Sequence, residues 1–357
     1  MTKSARRWLG LGATALVLGL IVFNVTRNPE WRSFDWKRFW LSTTHARPSF
    51  LLLAVTTAYL SYAVRAVRWK YFLDPIKSGS LWILFAGQIL GFSSIYLIGR
   101  PGELVRPAYI AKREHVSFAS QLAILLLERI YDTVAIVLLF GLALYFQPLH
   151  PRTAHGMAAL RRVRETAQSV VLVAGLLIAG LVAFRLYSEK LVTHFERRFR
   201  FIPTRARVGF ERFLRSLAQG LDAIRNWRDL LASVAWTIVL WFLNTTVFWL
   251  VFRSLNGELQ SISWWAAAMT IFFAAIGLLV QLPGVGGGYQ VGIVEALRRV
   301  LHVGAEAATS AGILMWIVAF VPCVALALLI LLYEGLSFKR LRGIADEKKA
   351  ESVVSRP

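Results

Sequence analysis

The sequence is short of cysteine, of acidic residues and of charge altogether. One cysteine, Cys323, in 357 residues excludes a disulfide framework and any cysteine-built zinc site. Six scattered histidines show no metal-ligand spacing such as HExxH, so no metal and no other cofactor is expected. Asp and Glu number 20 against 41 Lys and Arg, for a net charge of +21. Even so, charged residues make up only 17% of the chain, and the mean hydropathy is +0.55. A soluble nucleic-acid-binding protein matches that charge but not that hydropathy, and the basic residues border apolar stretches instead of forming one patch. With 57% hydrophobic and 13% aromatic residues, disorder is excluded too. An integral membrane protein remains, its positive charge serving topology and lipid headgroups.

Six segments reach the roughly 20 apolar residues that a membrane-crossing helix needs: 8–25, 49–67, 117–146, 169–187, 232–253 and 307–333. Two further apolar stretches run into Gly/Pro breaks, 81–98 into GRPGE and 263–282 into PGVGGG. If both stretches turn back, a large majority of the Lys and Arg outside the spans falls on one side of the membrane; if both cross, they divide almost evenly. Cytoplasmic enrichment of Lys and Arg therefore favours two re-entrant hairpins, with both termini cytoplasmic. The expected fold is all-α and polytopic, six spanning helices plus two re-entrant broken-helix hairpins. It divides into repeat 1 (1–146, hairpin 81–112), a basic amphipathic cytoplasmic loop (188–231), repeat 2 (169–336, hairpin 263–303) and a cytoplasmic tail (337–357). The repeats have inverted topology, an architecture of transporters whose sites lie between repeats near the midplane. The first segment, with no small-x-small cleavage site after it, reads as a retained anchor. Trp8, Trp69, Trp82, Trp236, Trp264 and Trp265 sit near span ends, as an interfacial belt requires, and residues 30–40 read as a surface helix at the outer face.

The strongest chemical signal is Glu128-Arg129-Ile130-Tyr131-Asp132 within the third span. Glu128 lies about 16 Å into that helix, near the bilayer centre, and shares a face with Asp132 one turn on. Ionisable groups at that depth are costly and by default face a cavity or a partner. The first hairpin break carries Arg100, Gly102, Glu103 and Arg106. Arginines there offer forked donors suited to phosphate, and a helix starting near Gly102 points N–H groups inward. Against this stands an ordinary cytoplasmic turn with snorkelling arginines. Glu103 has three candidate partners, Arg100, Arg106 and Arg129. The second break carries Pro283, Gly287, Gly288 and Gln290, and the helix after it carries Glu295, which Arg298 and Arg299 can neutralise at i+3 and i+4.

Three blocks carry a family resemblance: G-x-x-G-E-x-x-R (Gly99, Gly102, Glu103, Arg106), E-R-x-x-D (Glu128, Arg129, Asp132) and P-G…G-x-x-E (Pro283, Gly284, Gly292, Glu295). Over about residues 8–335 the chain resembles the lysylphosphatidylglycerol synthase transmembrane region, or flippase-like, family. It departs from the family's tighter glycine spacing at Tyr289 and Gln290, and no aminoacyl-transfer domain is legible. The resemblance implies a bacterial or archaeal inner-membrane protein with lipid-translocating relatives.

The resulting expectation is a flippase-like transporter of a phospholipid or polyprenyl-phosphate-type lipid. Membrane lipids with an anionic headgroup or lipid phosphate would be its partners, and its oligomeric state is not legible. Arg100, Arg106 and Arg129 would receive the phosphate, with Glu103, Glu128 and Asp132 balancing them when the site is empty. The alternatives are a membrane-embedded glycosyl- or phospho-transferase on a lipid-linked substrate, for which the outer loops offer no paired acids, and a non-catalytic membrane subunit.

Overall fold

The computed structural model describes residues 34–147, 172, 175–176, 227–279, 281–282 and 286–334. The expected spans 8–25 and, but for three helical positions, 169–187 lie outside these residues, as do the tail 337–357 and most of the loop 188–231.

The described chain is helical apart from one two-residue ladder. In order come α1 (Trp36–Thr44), α2 (Pro48–Leu73), α3 (Leu81–Ile98), a 3-10 turn (Arg100–Leu104), α4 (Val105–Arg113) and α5 (Phe118–Phe146). After these follow α6 (Trp227–Ser254), α7 (Trp264–Gly277), strands β1 (Gln281–Leu282) and β2 (Gly286–Gly287), α8 (Gly288–Glu295), a π turn (Ala296–Val300) and α9 (Ala305–Tyr333). Local chemistry sets the starts. Pro48 opens α2 with its φ already fixed. The hydroxyls of Ser117 and Ser263 accept the N–H groups of Ser120 and Ala266 at 3.1 and 3.0 Å, which caps α5 and α7. In the surface helix α1, Asp35 accepts from Lys37 and Arg38; Phe39 is buried while Trp36 and Trp40 are exposed, the amphipathic arrangement expected there.

Among the described residues, four helices are long and apolar enough to cross a membrane: Pro48–Leu73, Leu81–Ile98, Leu231–Ser254 and Ala305–Tyr333. At 29 residues α5 is about 43 Å long, but Glu128, Arg129 and Asp132 interrupt its apolar sequence. Outward faces carry exposed Leu52, Leu60, Ile238, Phe242, Leu329 and Leu332, as surfaces toward lipid tails do. This is a multi-pass membrane protein.

Contacts at the helix ends order the long helices and the mouths of the hairpins. At the Pro48 end of α2, the Arg47 N–H donates to the Ser254 carbonyl at 2.8 Å. The Gly304 N–H donates to Glu258 at 2.8 Å, and Ser263 bonds Gln147. At the Leu73 end, the Ser80 N–H donates to the Glu114 carboxylate at 2.8 Å, and Tyr109 donates to Glu334 at 2.5 Å. Helices α2, α5, α6 and α9 therefore run between two opposite ends of the bundle, while α3–α4 and α7–α8 are hairpins that open from opposite ends. Each hairpin is closed by backbone contact: a Cβ on Gly91 would stand 2.7 Å from the Arg106 Cβ, and one on Gly102 would collide with the Ser94 carbonyl. In the second, Gly277 and Gly292 abut the carbonyls of Gly288 and Phe273.

Two apolar cores follow the same division. One joins the first hairpin to the Tyr62–Leu73 half of α2 and the Cys323–Leu331 half of α9. The other joins α6 and the second hairpin to the first half of α2 and to Ala308–Val318 of α9. Pro322, inside α9, lies where α9 passes from one core to the other.

Three expectations need correction. Helix α2 runs six residues past the expected end at 67, so Arg68, beyond that end, lies inside it, and Arg65 and Arg68 are both buried. Trp69 is not interfacial: it is 1% exposed and donates through Nε1 to Gln121 at 3.1 Å. The physical reason is common to these first two. The R-A-V-R-W-K run ends an apolar segment and reads as a snorkelling flank, but carboxylates on α5 give its guanidiniums an interior partner. Helix α6 likewise starts at Trp227, within the range assigned to the basic loop.

Candidate functional site

The centre of the site is Glu128. It projects from the middle of α5 with 1% of its surface exposed, and four guanidiniums surround it. Arg68 Nη2 lies 2.9 Å from Oε1, Arg65 Nη1 3.3 Å from Oε1, Arg106 Nη2 2.5 Å from Oε2 and Arg129 Nη2 3.7 Å from Oε2. Asp132, one turn on, takes the other side of the same pair from α2, with Arg68 at 2.8 Å and Arg65 at 3.0 Å. The spacing explains the geometry: Arg65 and Arg68 are i, i+3 on α2, and Glu128 and Asp132 are i, i+4 on α5. One face of each helix therefore carries both charges. Isolated charges at this depth cost roughly 2.5–3.5 kcal/mol each on insertion, and the pairing offsets that cost.

The first hairpin supplies the rest. Gly91 lets α4 approach α3 closely enough for Arg106 to reach inward. Its guanidinium stacks over Trp69 at 4.4 Å and donates to Gln88 Oε1 at 2.5 Å. At the tip, Gly99 takes φ +75°, a conformation open to glycine, and turns α3 into the 3-10 segment that carries Glu103. That carboxylate faces Arg129 Nε at 2.9 Å and Arg100 at 3.7 Å, not Arg106. This is the accessible edge: the side chains of Arg129, Arg100 and Glu103 are 38%, 37% and 19% exposed, whereas the arginines behind them are buried.

Arg100, Glu103, Arg106, Glu128, Arg129 and Asp132 thus form one continuous cluster. Gly102 borders it through packing: its N–H donates to the Gly99 carbonyl inside the 3-10 turn. The residues of the second hairpin lie elsewhere. Gly287, with φ +85°, pairs with Gln281 across the two-residue ladder; Gly288 starts α8; and Gln290 backs against Gly312 of α9. Glu295 pairs with Arg299 on an exposed face. Pro283 lies outside the described residues.

Sequence reasoning missed Arg65, Arg68 and Gln88. The signal for the two arginines was their i, i+3 spacing, which matches the i, i+4 carboxylates on α5; nothing in the sequence distinguishes Gln88. Among the described residues no group of three His, Cys, Asp or Glu side chains could hold a metal ion, and the two clustered carboxylates face guanidiniums.

Fold and site together define a polytopic α-helical membrane protein with a buried, arginine-rich cluster at the tip of a helical hairpin. The family model for the lysylphosphatidylglycerol synthase TM region matches residues 7–327, and the chain belongs to that family. No curated protein matches it.

Proposed function

We propose that this protein moves a phospholipid or polyprenyl-phosphate-type lipid between leaflets, taking the lipid phosphate at the arginine cluster. The observation that carries this is charge. Arg65, Arg68, Arg106 and Arg129 face two carboxylates, Glu128 and Asp132, while Arg100 and Glu103 offset each other. Arginine does not deprotonate in proteins, so an excess of positive charge in a low-dielectric site calls for an anion. The Arg100–Glu103–Arg129 edge is where a phosphate would enter, by exchanging Glu103 for its own oxygens.

In this reading the chain has six spanning helices and two re-entrant hairpins in an inverted repeat, with both termini in the cytoplasm of a bacterial or archaeal cell and the protein in its inner membrane. Supporting it are the opposite openings of the hairpins and a shared local device. Each return arm ends in a histidine with left-handed backbone, His115 at φ 54° and His302 at φ 56°, just before the next long helix. Gly287, Gly288, Gln290 and Glu295 would form the opposing wall. Hairpins ending inside a membrane are tolerated against protein or a wet cavity, which suits passage of a headgroup.

The test is reconstitution into liposomes, scoring transbilayer movement of fluorescent lipids of several headgroup classes by wild type and Arg129→Ala. Movement by wild type that the variant loses supports the reading. No movement of any lipid by folded wild type overturns it and favours the transferase or subunit alternatives.

A further inference from the structure

Resting on the lipid-phosphate reading, the geometry points to a narrower substrate class: we propose that the cluster is built for a dianionic phosphate, a lipid phosphomonoester, in preference to a phosphodiester headgroup. Two observations carry this independently.

The first is the size of the charge excess. Four guanidiniums contact Glu128, and only Asp132 shares them from the same helix. Arg100 and Glu103 add one charge of each sign at the rim. Among the described residues the site therefore carries two more positive charges than negative ones. A phosphodiester brings one negative charge and leaves the interior charged; a phosphomonoester, whose second ionisation falls near pH 6, brings close to two.

The second is the inventory of unused hydrogen-bonding capacity. Arg68 Nε and Gln88 Nε2 are buried atoms without a hydrogen-bond partner, whereas Arg129 Nε is ion-paired with Glu103 at 2.9 Å. The residues Arg68 and Gln88 are themselves 0% exposed. The Gln88 amide orientation is fixed, because its oxygen already accepts from Arg106. Both atoms are donors. A buried donor without an acceptor is destabilising, and two of them, on the side chains that bond Glu128 and Arg106, describe a site missing acceptor oxygens. A phosphomonoester presents three terminal oxygens; a diester presents two, and its second ester substituent occupies the remaining direction. The one buried acceptor here without a hydrogen bond, Glu103 Oε1, sits against Arg129 at the entrance, where an incoming phosphate would displace it.

The experiment compares two probes that differ in one charge on one tail: farnesyl monophosphate and its methyl phosphodiester. Each is titrated onto the full-length protein in nanodiscs at pH 8 and pH 5, with binding read from tryptophan fluorescence and thermal shift. Both are also scored for movement in proteoliposomes. The monophosphate is expected to bind at least about tenfold tighter at pH 8, and the gap to close at pH 5, where the monoester holds one charge. Arg68→Gln and Arg106→Gln each remove one unit of excess, so in either variant that folds, the monophosphate-to-diester ratio at pH 8 falls by about tenfold. Equal or tighter binding of the diester at pH 8, with both probes moved, overturns the dianion assignment and leaves the lipid-phosphate reading standing. A ratio unchanged in a folded variant overturns it as well. Failure of both probes to bind or move, with phosphatidylglycerol moved neither, overturns the underlying reading.

Discussion

Glu128→Gln is the most demanding test of the cluster as a physical object. The substitution keeps size and hydrogen-bonding shape but removes the one charge that four guanidiniums share at 2.5–3.7 Å. Arg68 and Arg106 are almost fully buried. Asp132, which reaches Arg65, Arg68 and Arg129, cannot also serve Arg106. Removing one member of a buried, hydrogen-bonded ion pair costs about 3–5 kcal/mol, and Glu128 belongs to several such pairs, so the loss falls at the upper part of that range. Glu103→Gln is the control on the same cluster: at the accessible edge a pair contributes below about 1 kcal/mol. The assay is the melting temperature of each variant in a fixed detergent, followed by fluorescence-detected gel filtration after heating. Glu128→Gln is expected to lower it severely and Glu103→Gln slightly, and Glu128→Gln combined with Arg106→Gln to recover part of the loss, because contacting partners couple. Equal melting temperatures for the two single variants would refute the assignment of Glu128 as the shared counter-ion.

Three further outcomes follow from particular contacts. Gly102→Ala places a Cβ against the Ser94 carbonyl, backbone that cannot yield, so monodisperse protein should be lost, as measured by gel filtration. Glu114→Ala removes the acceptor of the Ser80 N–H and the partner of Lys77; the mouth of the first hairpin should open, with protection of its amides against hydrogen exchange falling while the second hairpin is unchanged. Pro322→Ala restores the backbone donor that proline lacks in α9, at the point where α9 passes between the two cores. The melting temperature should hold or rise while lipid movement slows, measured on the same preparation.

Much of this architecture was legible from hydropathy and glycine alone. The break after Leu81–Ile98 follows from sequence, because Gly99, Pro101 and Gly102 cannot continue an apolar helix, and Ser117 caps the next long one. The charged trio of α5 was equally visible, since ionisable residues deep in an apolar run have few innocent explanations. Its partners on α2 were not. Arg65 and Arg68 follow an apolar segment and resemble every cytoplasmic flank; only the carboxylates across the bundle, 60 or more residues away in sequence, turn them into interior groups. Trp69 was misplaced for the same reason. Tryptophan marks interfaces in membrane proteins, but here it packs beneath Arg106. Gln88 shows the limit more sharply, as a polar residue in an apolar helix whose meaning is set entirely by the guanidinium that returns to it on α4.

The central claim is that a lipid phosphate sits among these guanidiniums, and the most direct measurement is the distance between them. Protein labelled with ¹⁵N at arginine side chains, reconstituted with farnesyl monophosphate, can be examined by ³¹P–¹⁵N dipolar recoupling in the solid state. The account predicts strong dephasing of guanidinium signals at separations of about 3–4 Å, as hydrogen-bonded arginine–phosphate pairs require, and its loss in Arg68→Gln. Arginine signals with no coupling to ³¹P, in protein that is folded and lipid-saturated, would contradict it.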